Sequence, residues 1–181
     1  KQGKQALILV PEIGLTPQTL KRFEDRFNVE IVLLHSAITD KQRLQSWLKA
    51  RAGIARIIIG TRSALFTPLK APGIIIIDEE HDKSFRQQQG FRYSARDVAL
   101  VRAHLENIPI LLGSATPSME TLHNVSKGKI TQLDLPQKAQ ASNELDFRII
   151  DLKQQVLNNG LSNTLTQSIK KHLQQQGQVL L

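Results

Sequence analysis

The chain has 181 residues, of which 40% are hydrophobic and 4% aromatic, and its formal net charge is +8 at pH 7. This length suits one domain with part of a second, while the absence of cysteine excludes a disulfide framework and thiolate metal sites and indicates a reducing, cytoplasmic compartment. The apolar runs are too short to span a bilayer, so no membrane partner is expected, and the excess positive charge favours a polyanion such as nucleic acid.

Apolar and amphipathic segments alternate along the first 135 residues. Helices are predicted to begin at four capping signals: Thr16-Pro17, Thr39 with Gln42, Ser94 with Asp97, and Thr116-Pro117. Apolar runs predict strands at 6–10, 29–34, 56–59, 74–77, 110–112 and 130–135. This alternation predicts an α/β fold in which a parallel sheet carries helices on both faces.

The composition changes after residue 136. Residues 137–145 are rich in Gln, Ala, Ser and Asn and are predicted to form a linker. A strand at 147–152, a helix at about 162–175 and a strand at 178–181 are predicted to follow. We therefore expect a first domain at 1–136 and the start of a second α/β domain at 146–181.

The densest cluster of negative charge directly follows the most apolar run. Four isoleucines precede Asp78, Glu79, Glu80 and His81. Such a run is typical of a strand buried on both faces, and ligands bind at the carboxyl edge of open α/β sheets. An Asp at a strand end is how nucleotide hydrolases hold Mg²⁺, and an adjacent Glu can orient the attacking water. The order predicts a nucleotide site.

Three other apolar strands end in small or polar residues. They continue into Pro11-Glu12-Ile13-Gly14, Gly60-Thr61-Arg62-Ser63 and Gly113-Ser114-Ala115-Thr116. In a parallel sheet all three project from the same edge as the acidic cluster, so we expect the four segments to converge on one site. Glycine lets the backbone approach a ligand closely, and Ser and Thr supply hydroxyl donors.

The 78–81 segment resembles the Walker B box of superfamily 2 helicases of the DExH type, and the 113–116 segment resembles their Ser-Ala-Thr motif. Segments 9–12 and 60–63 resemble their first-lobe nucleic-acid-contacting motifs. The wording of 10–18, 60–66 and 92–97 is similar to that of the bacterial primosomal replication-restart helicases. The resemblance implies a truncated RecA-like first lobe, without its phosphate-loop strand, followed by the opening strand, helix and strand of a second lobe.

The resemblance also implies a function. The chain would be part of an ATP-dependent DNA helicase that unwinds DNA at stalled or abandoned replication forks and supports primosome assembly for replication restart. ATP and Mg²⁺ are the implied cofactors, with zinc expected only in parts of the parent outside this chain. The implied partners are single-stranded and forked DNA, primosome proteins and single-strand-binding proteins.

Roles for single residues follow from the same resemblance. Asp78 would hold Mg²⁺, Glu79 would be the catalytic base, and His81 would connect the nucleotide site to Ser114 and Thr116. The residues implied to contact DNA are Pro11, Glu12, Gln18, Thr61, Arg62, Ser63, Phe85, Arg86, Phe91, Arg92 and Tyr93. For Arg62 the alternative is an ion pair within the protein, and for Thr116 it is a helix cap.

Residues 82–94 show no helical or alternating period and are predicted to form a loop. This loop holds three of the eight aromatic residues in the chain, interleaved with Lys83, Arg86 and Arg92. Aromatic rings beside cations suit single-stranded DNA, because bases stack on the rings and phosphates meet the arginines. The alternative is that one or two of these rings anchor in the core.

One departure from the family is large, because the sequence has no Gly-x-x-x-x-Gly-Lys-Ser/Thr phosphate loop. We expect that loop before Lys1 in the parent, and we expect this segment alone to be inactive. Without the loop's strand, residues 74–77 are expected to expose unpaired edges and promote homo-oligomerisation. Two other functions stay open: a catalytically inactive nucleic-acid-binding or scaffold module, and a Mg²⁺ nuclease using Asp78, Glu79 and Glu80.

Overall fold

The computed structural model describes residues 3–11, 14–136, 147–153 and 157–180. The chain divides into two compact units, Lys1–Gln132 and Leu133–Leu181. The first unit contains β1 (Gln5–Leu9), α1 (Pro17–Arg26), β2 (Ile31–Leu34), α2 (Asp40–Ala52), β3 (Ile57–Gly60), β4 (Pro72–Ile77), β5 (Arg86–Gln87), β6 (Tyr93–Ser94), α3 (Ala95–Leu105), β7 (Ile110–Leu112) and α4 (Met119–Ser126). The second contains β8 (Leu157–Asn158), β9 (Leu161–Ser162) and α5 (Asn163–Gln174).

The first unit is built on a five-stranded parallel sheet in the order β2-β3-β1-β4-β7. The central strand β1 pairs with β3 on one side and with β4 on the other, so that Ala6 lies opposite both Ile57 and Ile74. The α/β fold with a parallel sheet is therefore confirmed.

Apolar residues on each face of the sheet pack against helices. On one face the main core includes Leu7, Ile58 and Ile75, and the small side chains of α2 and α3, such as Ala50 and Ala99, let those helices approach closely. The opposite face has a smaller core, in which Phe23 of α1 packs against the buried cluster of Ile8, Val10, Ile57 and Ile59. Helices on both faces, as predicted, thus exclude water from the centre of the sheet.

Three of the predicted helix starts have the expected cap. The hydroxyl oxygens of Thr16, Thr39 and Ser94 each accept a hydrogen bond from a backbone N–H of the first helical turn. Thr39 and Gln42 form the reciprocal capping box. Helix α2 ends at Gly53, whose φ of 75° lies in the left-handed region that favours glycine. These local signals are confirmed because they depend only on neighbouring residues.

The fourth predicted helix start is wrong. Helix α4 begins at Met119, and its cap is Ser118, whose hydroxyl oxygen accepts from the backbone N–H of Thr121. Thr116 lies two residues before this cap, where its own N–H donates to Ser114 Oγ over 3.0 Å. The N–H and hydroxyl of Ser118 also donate to the Glu80 carboxylate, and these tertiary contacts favour the later start of the helix.

Two predicted strands in the described residues are also absent. Residues 130–135 and 147–152 form no strand, and Leu135 and Ile149 are 95% and 100% exposed. An apolar run becomes a strand only when a neighbouring strand pairs with it and a second layer covers it. Residues 178–180 likewise form no strand, whereas the predicted helix of this region is present as α5, capped by Ser162.

The expectation that 74–77 would expose an unpaired edge is wrong as well. Strand β4 pairs with β1 on one side and β7 on the other, so its backbone donors and acceptors have partners. The open edges belong to β2 and β7, and Leu111 of β7 is 47% exposed. Self-association remains a prediction, now resting on those two strands. None of the described helices is both long and apolar enough to cross a membrane.

Candidate functional site

Four strand ends meet at the carboxyl edge of the sheet, as the sequence predicts. Backbone hydrogen bonds continue past the strands at this edge. The N–H of Val10 donates to Gly60, that of Asp78 to Leu9, and that of Gly113 to Ile77, at 3.0, 2.9 and 2.8 Å. The segments that follow β1, β3, β4 and β7 are therefore held side by side, with the acidic cluster between the ends of β1 and β7.

Asp78 and Glu79 are both exposed at the end of β4. Asp78 Oδ1 accepts a hydrogen bond from the backbone N–H of Glu79 over 3.1 Å. A Cβ atom at Gly113 would lie 3.6 Å from the same Oδ1, so glycine leaves the flank of the carboxylate open. In the described part of the chain no three His, Asp or Glu side chains are grouped to cage a metal ion. One exposed carboxylate with room beside it fits Mg²⁺, which keeps several waters and takes few protein ligands.

The backbone of Glu79 is unusual. Its φ is 48°, in the left-handed region that glycine favours and other residues rarely adopt. The turn is closed by a hydrogen bond from the Asp82 N–H to the Glu79 carbonyl oxygen, and the Glu80 N–H donates to Gly113. Such conformations persist only where the surroundings fix them, and they cluster at functional sites.

His81 joins the acidic segment to the turn that follows β7. Its Nδ1 lies 2.7 Å from Ser114 Oγ, and its Nε2 lies 3.4 Å from Thr116 Oγ1. The same Nδ1 is 3.6 Å from Glu79 Oε2. The structure thus brings together His81, Glu79, Ser114 and Thr116, which the sequence grouped only through the family resemblance.

Glu80 behaves differently from its two acidic neighbours, since it is only 3% exposed. Its carboxylate accepts hydrogen bonds from Arg96 of α3, from the N–H and hydroxyl of Ser118, and from the hydroxyl of Thr121. Burial raises the pKa of Glu80, but the bonds from Ser118, Arg96 and Thr121 outweigh it, so the pKa lies below the ordinary value of a glutamate. Glu80 is therefore held as a buried carboxylate at the start of α4 and lacks the exposure that direct metal binding needs.

Residues 82–94 contain more structure than the predicted loop. Strands β5 and β6 pair antiparallel, with Arg86 opposite Ser94. Arg62 supports this hairpin, because its Nη1 donates to the carbonyl oxygens of Ser84 and Arg86, both at 3.1 Å. The Arg62 side chain thus bonds two backbone carbonyl oxygens and forms no ion pair among the described residues, and its contact with DNA phosphate stays a prediction.

The three aromatic residues of this segment have different environments. Phe85 is 2% exposed and belongs to the main core, so its assignment as a DNA-contacting residue is wrong. Tyr93 is half-buried and packs edge-on against Phe66, with ring centroids 5.3 Å apart. Phe91 is 83% exposed, with its ring centroid 6.3 Å from that of Tyr93. Only Phe91 presents a fully accessible ring.

An open groove of about 720 Å³ runs along this hairpin. Its lining includes Arg86, Arg92 and Tyr93 together with Glu120 of α4. Arg86 Nη2 donates to Glu120 Oε1 over 2.5 Å. A hydrogen bond from its own backbone N–H and the Arg86 ion pair lower the pKa of Glu120. Three of the predicted DNA-contacting residues therefore share one groove.

The remaining predicted contact residues lie just after β1 and β3, except Gln18, which is the second residue of α1. Gln18 and Ser63 are exposed, whereas Pro11 is buried and Thr61 is only 8% exposed. Glu12 lies outside the described residues. The side chains of Gln18 and Ser63 are accessible to a ligand. Thr61 and Pro11 are buried, so they can contribute to a binding surface only through their backbone atoms or by shaping the loop.

Sequence reasoning missed Arg96, Ser118 and Glu120. Arg96 is only 7% exposed and contacts Glu80, Ser118 and Asp97. A local signal existed for Ser118, since Ser118 and Thr121 have capping spacing and Glu120 is an acid in the first turn. For the pairing of Arg96 with Glu80 and Ser118 no local signal existed, because these two partners are distant in sequence.

The comparisons with known proteins agree with this geometry. Residues 1–125 match the family model described as DEAD/DEAH box helicase. The chain is 56% identical over 181 residues to the replication restart protein PriA of Haemophilus influenzae, covering 100% of this chain and 25% of that protein. It is 44% identical over 157 residues to PriA of Synechocystis, covering 84% of this chain and 19% of that protein. The chain spans about a quarter or less of the length of these curated relatives.

A structure described as RecG bound to a three-way DNA junction is 24% identical, with a TM-score of 0.46, and covers 70% of this chain and 16% of that one. The family match extends over most of the chain and includes every strand of the five-stranded sheet. The chain therefore belongs to the DEAD/DEAH box helicase family.

Proposed function

We propose that this chain forms the metal-binding and water-positioning side of the motor of an ATP-dependent DNA helicase that acts in replication restart. The observation that carries the proposal is the joint placement of Asp78, Glu79 and His81 at the end of a buried strand, with His81 hydrogen-bonded to Ser114. The similarity to replication restart proteins supports the biological context.

Each residue of this edge has a proposed task. Asp78, exposed and flanked by Gly113, would hold Mg²⁺ through its water shell. When bound, the ion would neutralise charge on the phosphates of ATP. Glu79 would accept a proton from, or orient, the attacking water, because its carboxylate is free of ion pairs with Lys or Arg among the described residues. His81 would transmit conformational changes at the nucleotide site to Ser114 and Thr116, which its ring contacts.

Such a motor binds the phosphates of ATP in a Gly-x-x-x-x-Gly-Lys-Ser/Thr loop, the phosphate cradle, and the 181-residue sequence has no such segment. In the proposal, the cradle and its lysine come from elsewhere in the complete polypeptide. This segment alone would bind MgATP weakly and would not hydrolyse it, since a phosphate-binding backbone and lysine supply most of the contacts to the β- and γ-phosphates.

The hairpin groove is the proposed contact surface for single-stranded or forked DNA. Arg86 and Arg92, which line the groove, would meet phosphates, in keeping with a formal net charge of +8. The exposed ring of Phe91, beside Tyr93 on the same hairpin, would stack on a base. Gln18 and Ser63 would extend this surface along the carboxyl edge of the sheet. Helix α3 follows directly on strand β6, and Arg96 in its first turn bonds Glu80. A shift of the hairpin would therefore reach the acidic segment at the end of β4.

The similarity to replication restart proteins supports a role of this motor at replication forks. A motor of this kind would unwind DNA at stalled or abandoned forks and support primosome assembly together with single-strand-binding proteins. Because such a motor would act on bacterial chromosomal DNA, we propose that it works in the cytoplasm. Its self-association is a further expectation, which depends on the open edges of β2 and β7.

The test uses the complete polypeptide that contains this segment. ATP hydrolysis is measured without DNA, with single-stranded DNA and with a forked duplex, and strand separation is followed on the fork. We expect DNA to stimulate hydrolysis and the fork to be unwound. DNA binding with no ATP hydrolysis under any of these conditions would contradict the proposal and favour a catalytically inactive binding module.

A further inference from the structure

Glu80 is the most highly connected side chain of the acidic segment. Backbone and side-chain donors reach it from two helices: the Ser118 N–H at 2.6 Å, the Thr121 hydroxyl at 3.0 Å, the Ser118 hydroxyl at 3.1 Å and Arg96 Nη1 at 3.2 Å. Both side chains of the Glu80–Arg96 ion pair are almost fully buried, at 1% and 8% exposed. A carboxylate in such a place needs these partners, because burial disfavours an unpaired charge.

The partners of Glu80 lie at the beginnings of α3 and α4, next to the carboxyl edge of the sheet where the proposed nucleotide site is (the nucleotide edge). Arg96 is the second residue of α3, immediately after the hairpin strand β6. Ser118 and Thr121 form the capped start of α4, the helix that follows the Ser114–Thr116 turn. Arg96 also donates to Ser118 Oγ over 2.5 Å, which closes the network. The side chain of Glu80 therefore ties the end of β4 to the beginnings of two helices.

This tie acts on the neighbouring residue Glu79, whose φ of 48° is a conformation that a non-glycine residue adopts at a cost. On one side of Glu79, the Asp78 N–H is fixed to Leu9. On the other side, Glu80 is fixed twice, through its N–H to Gly113 and through its buried carboxylate. With both neighbours held by these hydrogen bonds, the Glu79 backbone has little freedom to relax, which sets the direction in which its exposed side chain leaves the chain.

We propose that Glu80 is a positioning residue for the hydrolytic step: its buried contacts with Arg96, Ser118 and Thr121 hold Glu79 in the left-handed conformation that aims its carboxylate at the nucleotide. With its side chain only 1% exposed, Glu80 itself is not accessible to a nucleotide or a metal ion. The inference rests on the proposed function, since it names the residue that orients the proposed catalytic base.

A purely structural role makes a different prediction. If Glu80 served only stability, its replacement would lower the melting temperature, and the folded fraction would keep a normal turnover number. If Glu80 positions Glu79, the folded variant would bind ATP normally and turn it over slowly, because misplacing a reacting group by about 1 Å can cost about 10²-fold in rate. The separation of kcat from KM therefore distinguishes the two roles.

The experiment compares three variants of the complete polypeptide at a temperature where each is folded. Glu80→Gln keeps the shape but replaces one acceptor oxygen by a donor that opposes its partners. Thr121→Val removes a single hydroxyl donor to Glu80 with little change in shape. Glu106→Gln is the matched control, since it alters another Arg–Glu pair associated with α3, Arg102–Glu106 at 2.9 Å, away from the nucleotide edge. Steady-state ATPase, ATP affinity, DNA affinity and thermal melting are measured for each.

We expect Glu80→Gln to lower kcat by about 10- to 100-fold with KM for ATP and DNA affinity within about twofold of wild type. Thr121→Val should also lower kcat with near-normal KM and DNA affinity, but by a smaller factor. If Glu80→Gln does not fold, Thr121→Val distinguishes a positioning role of Glu80 from a purely structural one. Wild-type kcat in the folded variants, a raised KM with unchanged kcat, or an equal loss in Glu106→Gln would each overturn the inference. Absence of ATPase in the wild-type protein would instead contradict the proposed function, and the inference with it.

Discussion

His81 Nδ1 lies 2.7 Å from Ser114 Oγ, across the gap between the ends of β4 and β7. This contact is the shorter of two between the His81 ring and the Ser-Ala-Thr turn, the other being Nε2 to Thr116 Oγ1 at 3.4 Å. The imidazole also lies 3.6 Å from the Glu79 carboxylate, so a change at Ser114 can reach Glu79 through one ring.

We predict that Ser114→Ala in the complete polypeptide weakens DNA-stimulated ATP hydrolysis. Loss of one hydrogen bond is worth about 0.5–1.5 kcal/mol, which corresponds to about a two- to tenfold fall in kcat. Steady-state ATPase with and without DNA measures the effect. Ser126→Ala is the control, since Ser126 bonds only locally, to the His123 carbonyl. Unchanged stimulation in Ser114→Ala would show that the His81 contact does not transmit the DNA signal.

We predict that Glu79→Gln keeps nucleotide and DNA binding and loses turnover. Removing a general base or a water-positioning carboxylate typically costs about 10²–10⁴ in rate. Glu24→Gln, on the exposed surface of α1, is the matched control and should remain active. ATPase assays and equilibrium binding with a non-hydrolysable analogue are compared. A Glu79→Gln variant with near-normal turnover would refute the role assigned to this carboxylate.

The sequence predicts those features that depend on neighbouring residues or on periodicity. Thr16, Thr39 and Ser94 cap their helices as expected. The isoleucine run forms strand β4 and leads to Asp78 at the sheet edge, although only Ile75 and Ile77 of the run are fully buried. Thr116-Pro117 carries the same kind of local signal, yet α4 starts at Met119 because Ser118 also bonds Glu80.

Contacts between distant residues set the remaining features. Phe85 and Phe91 share one aromatic, basic segment, but the hairpin buries the first at 2% exposure and leaves the second at 83%. The buried pairing of Glu80 with Arg96 spans two elements, so local spacing does not indicate it. The apolar residues at 130–135 resemble a strand in sequence, and only the lack of a pairing strand in the described residues explains their exposure.

We predict that the 181-residue segment alone does not hydrolyse ATP and binds MgATP weakly. Asp78 and Glu79 supply only the metal and water side, and the sequence lacks the phosphate loop. Calorimetric titration with a non-hydrolysable ATP analogue in the presence of Mg²⁺ checks this, with Asp78→Asn as the matched variant. Micromolar affinity that Asp78→Asn leaves unchanged would show that the nucleotide binds elsewhere.

We predict opposite outcomes for two aromatic substitutions in the hairpin. Phe91→Ala should leave the melting temperature almost unchanged, since surface substitutions typically alter stability by less than about 0.5 kcal/mol. It should weaken single-stranded DNA binding and DNA stimulation, because a stacked base contributes about 1–3 kcal/mol. Normal DNA affinity in Phe91→Ala would remove the proposed stacking role.

Tyr93→Ala serves as the comparison, because Tyr93 packs against Phe66 and the core. We expect it to destabilise the protein by about 1 kcal/mol or more, since an edge-to-face aromatic pair alone contributes about 0.5–1.5 kcal/mol. Thermal melting and DNA binding are measured side by side for both variants. A Tyr93→Ala variant with unchanged melting and lost DNA binding would assign stacking to Tyr93 in place of Phe91.

We predict that Arg86→Ala raises the pKa of Glu120. The folded-state pKa of Glu120 is lowered, first by its own backbone N–H at the start of α4 and then by Arg86, so the ionised form favours the folded state. This contribution is present above the unfolded pKa of about 4.3 and is lost as pH falls towards the lowered folded value. NMR titration of the Glu120 side chain should show a partial rise in Arg86→Ala and none in Arg92→Ala. An unchanged pKa in Arg86→Ala would mean that the ion pair does not persist in solution.

The order of the strands has a consequence for synthesis of the chain. Strand β1 lies at the centre of the sheet and precedes both of its partners in the chain: Ala6 pairs with Ile57 and with Ile74. Until about residue 77 has left the ribosome, Leu7 and Leu9 have no complete site to occupy. Pairing over such sequence separations is slow and leaves apolar strand edges exposed to wrong partners. Strand β1 is therefore exposed to wrong pairing until β4 is made, and the same segment that completes its pairing, ending at Ile77, also places Asp78 at the edge of the sheet.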